Sequence, residues 1–346
     1  MDGASTFQGL NLLQTQTLKS TFSNYSYSKE AMNYQPLVSV GIPTYNRPEG
    51  LRKTLVCITQ QTYSKLEIII SDNASTDPQV KATAHEFMAK DDRIRYIRQP
   101  KNVGQFFNFK AVMAAATGDY FTWAADDDER AERYIEQCIQ AFDLSSQLVV
   151  VNAYSRLIHP ETEETLRIDR GCTTIGLSKS QRYRRYLSTI FTEQAVVGDL
   201  IYGLIRRETL TQTLTDIRIL PWDHVLLARL ALVGEFYTIP EPLLVSRLGG
   251  ASRSNPSAAR ALLLEGTLAQ QHPWWTREKW LQQSIWQSDL FVLSKLTLMG
   301  WSFLYYCVSF GAAATIKTYL PWLHRLYRSV RYQEPFQLRQ KSTASG

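Results

Sequence analysis

Val38-Ser-Val-Gly-Ile42 has the residue types of a buried strand, Pro43 closes it, and Pro48 opens a helical stretch with Leu51, Leu55 and Ile58 on one face. This is a βα unit, and the pattern repeats. Leu66-Glu-Ile-Ile-Ile70 runs through the polar turn Ser71-Asp-Asn-Ala-Ser-Thr-Asp77 into a helix from Pro78, with Thr76 or Asp77 as its cap. Ile94-Arg-Tyr-Ile97 runs through Asn102-Val-Gly104 into a helix that Gly118 stops. Tyr120-Phe-Thr-Trp-Ala-Ala125 then leads into Asp126-Asp-Asp128.

Strands alternating with helices at this spacing predict an α/β fold, Rossmann-like, with a mostly parallel sheet, helices on both faces and right-handed crossovers. Ligands of such sheets bind at the carboxyl ends of the strands. Three polar clusters fall there: Thr44-Tyr45-Asn46, Asp72-Asn73, and Asp126 to Asp128. Beyond Gln147 the pattern is mixed. Strands are expected over Leu148 to Tyr154 and Ile201 to Ile205, with an irregular polar stretch from Arg156 to Lys179 between them. A helix follows over Trp222 to Val233, then extended segments Phe236 to Ile239 and Leu243 to Leu248. Helices are expected over Ala258 to Gln270 and Trp280 to Gly300. The organisation expected is a polar extension over 1–35, an α/β domain over 36–254 and a helical region over 255–346, with no internal repeat.

Three consecutive aspartates at a strand end repel one another, and a divalent cation is a common relief. Asp126 and Asp128 supply hard oxygen donors suited to Mg2+ or Mn2+, which also take phosphate oxygens as ligands. A solvated acidic turn leading into a helix is the alternative, since Glu129 and Glu132 continue the acidity.

The segments Pro36-Leu-Val-Ser-Val-Gly-Ile-Pro-Thr-Tyr-Asn-Arg47, Gln61-Thr-Tyr63, Glu67-Ile-Ile-Ile-Ser-Asp-Asn-Ala-Ser-Thr-Asp77 and Gly118-Asp-Tyr-Phe-Thr-Trp-Ala-Ala-Asp-Asp-Asp-Glu129 together resemble family 2 glycosyltransferases of the GT-A fold. The resemblance is specific over 36–130 and weaker to about 254. It implies an inverting, metal-dependent enzyme that moves a sugar from a nucleotide-sugar donor, UDP-linked, to a hydroxyl of a glycan or lipid-linked acceptor. By that resemblance Pro43, Thr44 and Tyr45 line the nucleobase pocket. Asp72 would read the uracil N3–H, an imide proton that cytosine lacks. An Asx-turn is the other reading of Asp72. The direct metal ligand falls on Asp128, with the register of the triplet ambiguous by one.

An inverting transfer needs a base for the acceptor hydroxyl. Asp223 in Leu220-Pro-Trp-Asp-His-Val225 is the candidate; family members carry an acidic pair there, and here Trp222 replaces the first acid. His224 is a reserve. Arg247, in Val245-Ser-Arg-Leu-Gly-Gly-Ala-Ser252, resembles the late arginine that meets the diphosphate, with Arg253 in reserve. A nucleotidyltransferase or a dehydrogenase would carry a Gly-rich loop after the first strand, where this chain has Thr44-Tyr-Asn-Arg-Pro48. A pocket that binds nucleotide sugar without turnover is the non-enzymatic alternative.

The chain has 346 residues, 44% hydrophobic and 12% aromatic, which excludes disorder and suits a large core. Its net charge of +6 is too small and too local for a nucleic-acid partner. From Lys317 onward Lys317, Arg325, Arg328, Arg331, Arg339 and Lys341 face one acid, Glu334. Ahead of them Leu296 to Ile316 is uncharged. This pairing is compatible with peripheral membrane contact through 296–330, with a buried helix, or with a span. Four scattered cysteines without metal-ligand spacing, and a polar first 35 residues without a secretory core, lead us to expect a cytoplasmic protein, at the inner face of a membrane if it touches one.

Overall fold

β1 (Val38–Thr44) is buried along its whole length, because it lies inside the sheet with helices above and below. The structure, a computed structural model, describes residues 35–126, 129–192, 197–215, 217, 221–247 and 273–307. Around β1 are ordered α1 (Pro48–Thr59), β2 (Leu66–Asp72), α2 (Pro78–Met88), β3 (Ile94–Arg98), α3 (Gln105–Ala114) and β4 (Tyr120–Trp123). Then follow β5 (Glu129–Arg130), α4 (Tyr134–Ala141), β6 (Leu148–Ile158), β7 (Thr165–Asp169), α5 (Lys179–Thr192) and a 3-10 turn at Val197–Tyr202. β8 (Leu204–Arg206), α6 (Arg207–Thr213), α7 (Trp222–Val233), β9 (Glu235–Arg247), α8 (Pro273–Gln287) and α9 (Val292–Tyr306) complete the described chain.

The nine-stranded sheet runs β3-β2-β1-β4-β8-β6-β9-β5, with β7 hairpinned onto β6. β3, β2, β1 and β4 are parallel; β8 is antiparallel to both β4 and β6, and β6 and β9 are parallel. The chain builds outward from β1 through β2 and β3, then returns to place β4 on β1's other flank. That reversal opens a crevice at the carboxyl ends of β1 and β4. Pro43 continues β1 instead of closing it. Its register partner is Ser71 of β2, while pairing with β4 stops at Gly41↔Trp123, so its missing N–H falls where the flank is already open.

Successive residues of β2 feed opposite faces of the sheet. Ile68 and Ile70 join Leu51, Leu55 and Ile58 of α1 and Val80 of α2 in one layer. Ile69 joins Phe106, Phe109 and Val112 of α3 in the other, which extends through α7 to Leu281 and Ile285 of α8 and Leu298 of α9. The C-terminal helices therefore share a core with the α/β layer.

Several expectations are corrected. α3 ends at Ala114, and Gly118 instead permits close approach, since a Cβ there would sit 2.6 Å from the Leu37 carbonyl oxygen. The stretch after Arg156 contains β7, and the two late extended segments are one strand, β9, kept continuous through irregular register against β6. The helix expected over Trp280 to Gly300 is two helices, because the chain turns at Ser288, whose N–H and hydroxyl both bond the Ile285 carbonyl. Among the described residues no helix is long and apolar enough to cross a membrane. The expected helix over 258–270, the boundary near 254, the extension over 1–34 and residues 308–330 lie outside the described residues.

Gly50 brings α1 against the end of β4, where a Cβ would overlap the Asp126 carbonyl oxygen. Gly50→Ala should cost about 1–3 kcal/mol by overpacking. Urea titration should show this as a lower midpoint; an unchanged midpoint would mean that the acidic loop does not press on α1.

Candidate active site

The crevice is built from three strand ends. Thr44 closes β1 and Asp72 closes β2 directly opposite it in register, while Asp126 lies three residues past the end of β4. The Thr44 hydroxyl donates to Asp126 Oδ2 at 2.9 Å, and Arg47 Nη1 donates to Oδ1 at 2.8 Å. Asp126 is nearly buried, so this ion pair supplies the charge balance that water cannot. Thr54 of α1 donates to the Ala125 carbonyl at 2.9 Å, holding the start of the loop. At its exit, buried Arg130 donates to the Trp123 and Tyr202 carbonyls and lies over the Tyr134 ring.

A second knot joins the β1 and β2 loops. Asn46 takes a left-handed conformation (φ 55°), which asparagine tolerates. Its Oδ1 accepts the backbone N–H of Thr76 at 2.8 Å and of Asp77 at 3.1 Å, and its own N–H donates to Ser75 Oγ. Asp77 caps α2 by accepting the Gln79 N–H at 2.8 Å. Asn73 binds Asn102 and the Val103 N–H, which ties down the loop before α3.

Asp72 turns inward. Oδ1 accepts the Ser75 N–H at 2.8 Å, while Oδ2 accepts the Tyr96 hydroxyl at 2.6 Å and Arg98 at 2.5 Å. Burial pushes its pKa up, but the Ser75 and Tyr96 hydrogen bonds and the Arg98 charge outweigh it and hold the carboxyl below its ordinary value. Both oxygens accept hydrogen bonds from the protein, and the Ser75 N–H closes the Asx-turn that the sequence left open beside the nucleobase contact. Of Pro43, Thr44 and Tyr45, the first two are buried and Tyr45 presents an exposed ring at the crevice end of β1.

Asp223 sits at the start of α7. The residue before it explains the placement. Trp222 is buried, with ring centroids 5.4 Å from Phe109, 5.5 Å from Phe106 and 6.0 Å from Trp123, which itself ends β4 just before the acidic loop. Trp222, at the position where the family resemblance implies an acid, is a core anchor, fixing the start of α7 to the same end of the sheet as Asp126. Burial raises the Asp223 pKa to about 6, opposed by the backbone N–H groups of His224 and Asp223 and by the Arg277 charge. Arg277 of α8 reaches His224 Nδ1 at 3.3 Å, and Tyr186 of α5 donates to the His224 carbonyl. Burial, then Arg277, lowers the His224 pKa to about 3, so this ring stays neutral and is no proton acceptor near neutral pH.

Arg247, at the end of β9, pairs with Glu129 at 2.5 Å and lies 3.9 Å from Glu163. It flanks the acidic loop with its charge already matched. Asp128 and Arg253 lie outside the described residues. Both oxygens of Asp126 are held by Thr44 and Arg47, and among the described residues no group of three His, Cys, Asp or Glu converges as a metal site. The described half of the loop does not by itself make a cation site. Sequence reading missed Arg47 and Arg98 as partners of the two strand-end acids; the only signal was that each buried aspartate needs a cation.

A mostly parallel sheet with a polar crevice at its switch point, flanked by a carboxyl of raised pKa, is suited to binding a ligand beside a group that can accept a proton. Residues 39–204, just under half of the chain, match the family model Glycosyl transferase family 2. A GalNAc(5)-diNAcBac-PP-undecaprenol beta-1,3-glucosyltransferase of Campylobacter jejuni is 37% identical over 95 residues, 27% of this chain and 30% of that protein. Glycosyltransferase GlyG of Streptococcus pneumoniae is 32% identical over 118 residues, 34% of this chain and 39% of that protein. The chain thus matches about a third of the length of these relatives. The structure of S. aureus TarS 1–349 in complex with UDP-GlcNAc superposes with a TM-score of 0.58 at 13% identity, covering 86% of this chain and 81% of that one. This likeness establishes the GT-A fold.

The raised Asp223 pKa has a consequence for stability. Because the folded protein holds this proton up to about pH 6 and the unfolded chain releases it near the ordinary carboxylate value, stability falls as pH rises through that window. Asp223→Asn should match wild type near pH 4 and exceed it in urea midpoint at pH 7. Equal midpoints at both pH values would show that the carboxyl is not raised.

Proposed function

We propose that this protein transfers a sugar, with inversion, from a nucleoside-diphosphate sugar to a hydroxyl of a glycan or lipid-linked acceptor, with Asp223 as the base. The observation that carries this reading is the pairing of position and acidity. Trp222 packed on Trp123 holds Asp223 at the crevice end of the sheet, and its pKa of about 6 leaves it ionised yet basic near neutral pH. In the proposed step the acceptor hydroxyl gives its proton to an Asp223 oxygen while its own oxygen bonds C1 of the sugar. The bond from C1 to the diphosphate breaks on the opposite face, and the nucleoside diphosphate departs.

The exposed Tyr45 ring is proposed as the stacking surface for the base, with Thr44 and Pro43 as its floor. Arg47 and Arg247 stand on either side of the acidic loop, each paired to an acid. Exchange of one of these pairs for the diphosphate would set an arginine charge against the leaving group. Uridine is the proposed base, as in the TarS complexes that share the fold. A lipid-linked acceptor is proposed by analogy with the undecaprenol-linked substrate in the name of the Campylobacter relative. Dependence on Mn2+ or Mg2+ is proposed from the resemblance through Asp128, with Asp126 beside it.

The test is a panel of UDP-, GDP- and dTDP-sugars assayed with Mn2+ for donor hydrolysis and transfer, in wild type and Asp223→Asn. The variant should lose kcat by at least about a hundredfold while binding UDP within about twofold of wild type, and wild-type kcat/KM should rise with pH through about 6. Tight donor binding with no turnover of any donor would overturn the enzyme reading.

A further inference from the structure

α9 presents two unlike faces. Inward, Leu298 and Ser302 are buried, the Ser302 hydroxyl donates to Glu278 at 2.9 Å, and Gln282 of α8 donates to the Met299 carbonyl at 3.0 Å. Outward, Leu293, Leu296 and Leu304 recur at helical spacing, with Phe291 and Phe303 beside them; Phe291 is 87% and Leu293 78% exposed. A Cβ on Gly300, which falls in the same row, would meet nothing within 4 Å. Eight of the fourteen large apolar side chains exposed among the described residues lie on α8, α9 and the turn between them. Such concentration marks a contact surface.

We propose that the outer face of α9 docks on an anionic lipid surface, lying in its plane. Three observations choose this occupant. From Leu290 onward the sequence carries seven Lys and Arg against one acid, Glu334, a balance suited to negative headgroups. The rim is aromatic and cationic: Lys295 lies over Trp286, Lys279 over Trp275 and Arg184 over Trp301, side chains that combine an apolar body with a charge that reaches headgroups. The described part of the helix, 15 residues reaching about 22 Å against a hydrocarbon core of about 30 Å, is pinned along its inner face to α8 by polar contacts, which turns the apolar stripe outward for in-plane contact.

The test uses the full chain without donor, so its result is independent of the transferase reading. Flotation with phosphatidylcholine vesicles containing half phosphatidylglycerol should carry the wild type, and phosphatidylcholine alone should carry less. The Leu293→Gln, Leu296→Gln, Leu304→Gln triple variant changes only exposed positions and should keep the wild-type circular dichroism and melting curve. It should partition at least about tenfold less. The basic segment after 316 is the same in both proteins, so the difference reports α9. No flotation of wild type with either vesicle, or equal flotation of the variant, overturns the proposal. So does a wild-type dimer in light scattering that the variant dissociates, which would assign the face to a second copy of the chain.

Discussion

The contact between Trp123 and Trp222 is the constraint on which the site depends. Trp123 ends β4 and determines where the acidic loop begins; Trp222 opens α7 and determines where Asp223 stands. Packed together with Phe106 and Phe109 of α3, they fix two strand-end features that lie almost a hundred residues apart in the chain. Close-packed aromatic rings have few alternative arrangements, so the separation between Asp223 and the acidic loop is set by core packing rather than by loops.

Charge follows from the same burial. Asp126 is matched by Arg47, Asp72 by Arg98 and Glu129 by Arg247, each within 2.8 Å. A carboxylate taken out of water at a strand end requires a cation or hydrogen bonds, and this chain provides both from neighbouring loops. Asp223 is the exception. It receives backbone N–H groups and a more distant arginine charge, and its pKa accordingly moves up where that of Asp72 moves down. Two aspartates at the same end of one sheet thus have opposite properties, one a fixed anchor and the other a titratable group.

The C-terminal helices connect this chemistry to the surface. α8 places Arg277 beside His224 and near Asp223, and α9 packs on α8 through Glu278 and Gln282 while exposing its apolar stripe. One helical layer therefore supports the candidate base from beneath and carries the candidate lipid-contact face outside.

Much of this was legible in the residues. The strand and helix phases of β1 to β4, the Asp77 cap, the α7 limits and the polar clusters at the strand ends follow from local periodicity and turn chemistry, which depend on neighbours in sequence. The antiparallel β8, the β7 hairpin and the break between α8 and α9 did not, because short strands and helix breaks are decided by partners far along the chain. The same division separates the site residues. That Asp72 and Asp126 are carboxylates at strand ends on one sheet edge followed from the order of the sequence, whereas the place of Asp223 came from the packing of Trp222 on Trp123. Which of them is neutralised, which is anchored and which keeps a mobile proton was decided only when tertiary contacts supplied close arginines to the first two and burial with backbone N–H groups to the third, because a carboxylate's acidity is set by what surrounds it in space.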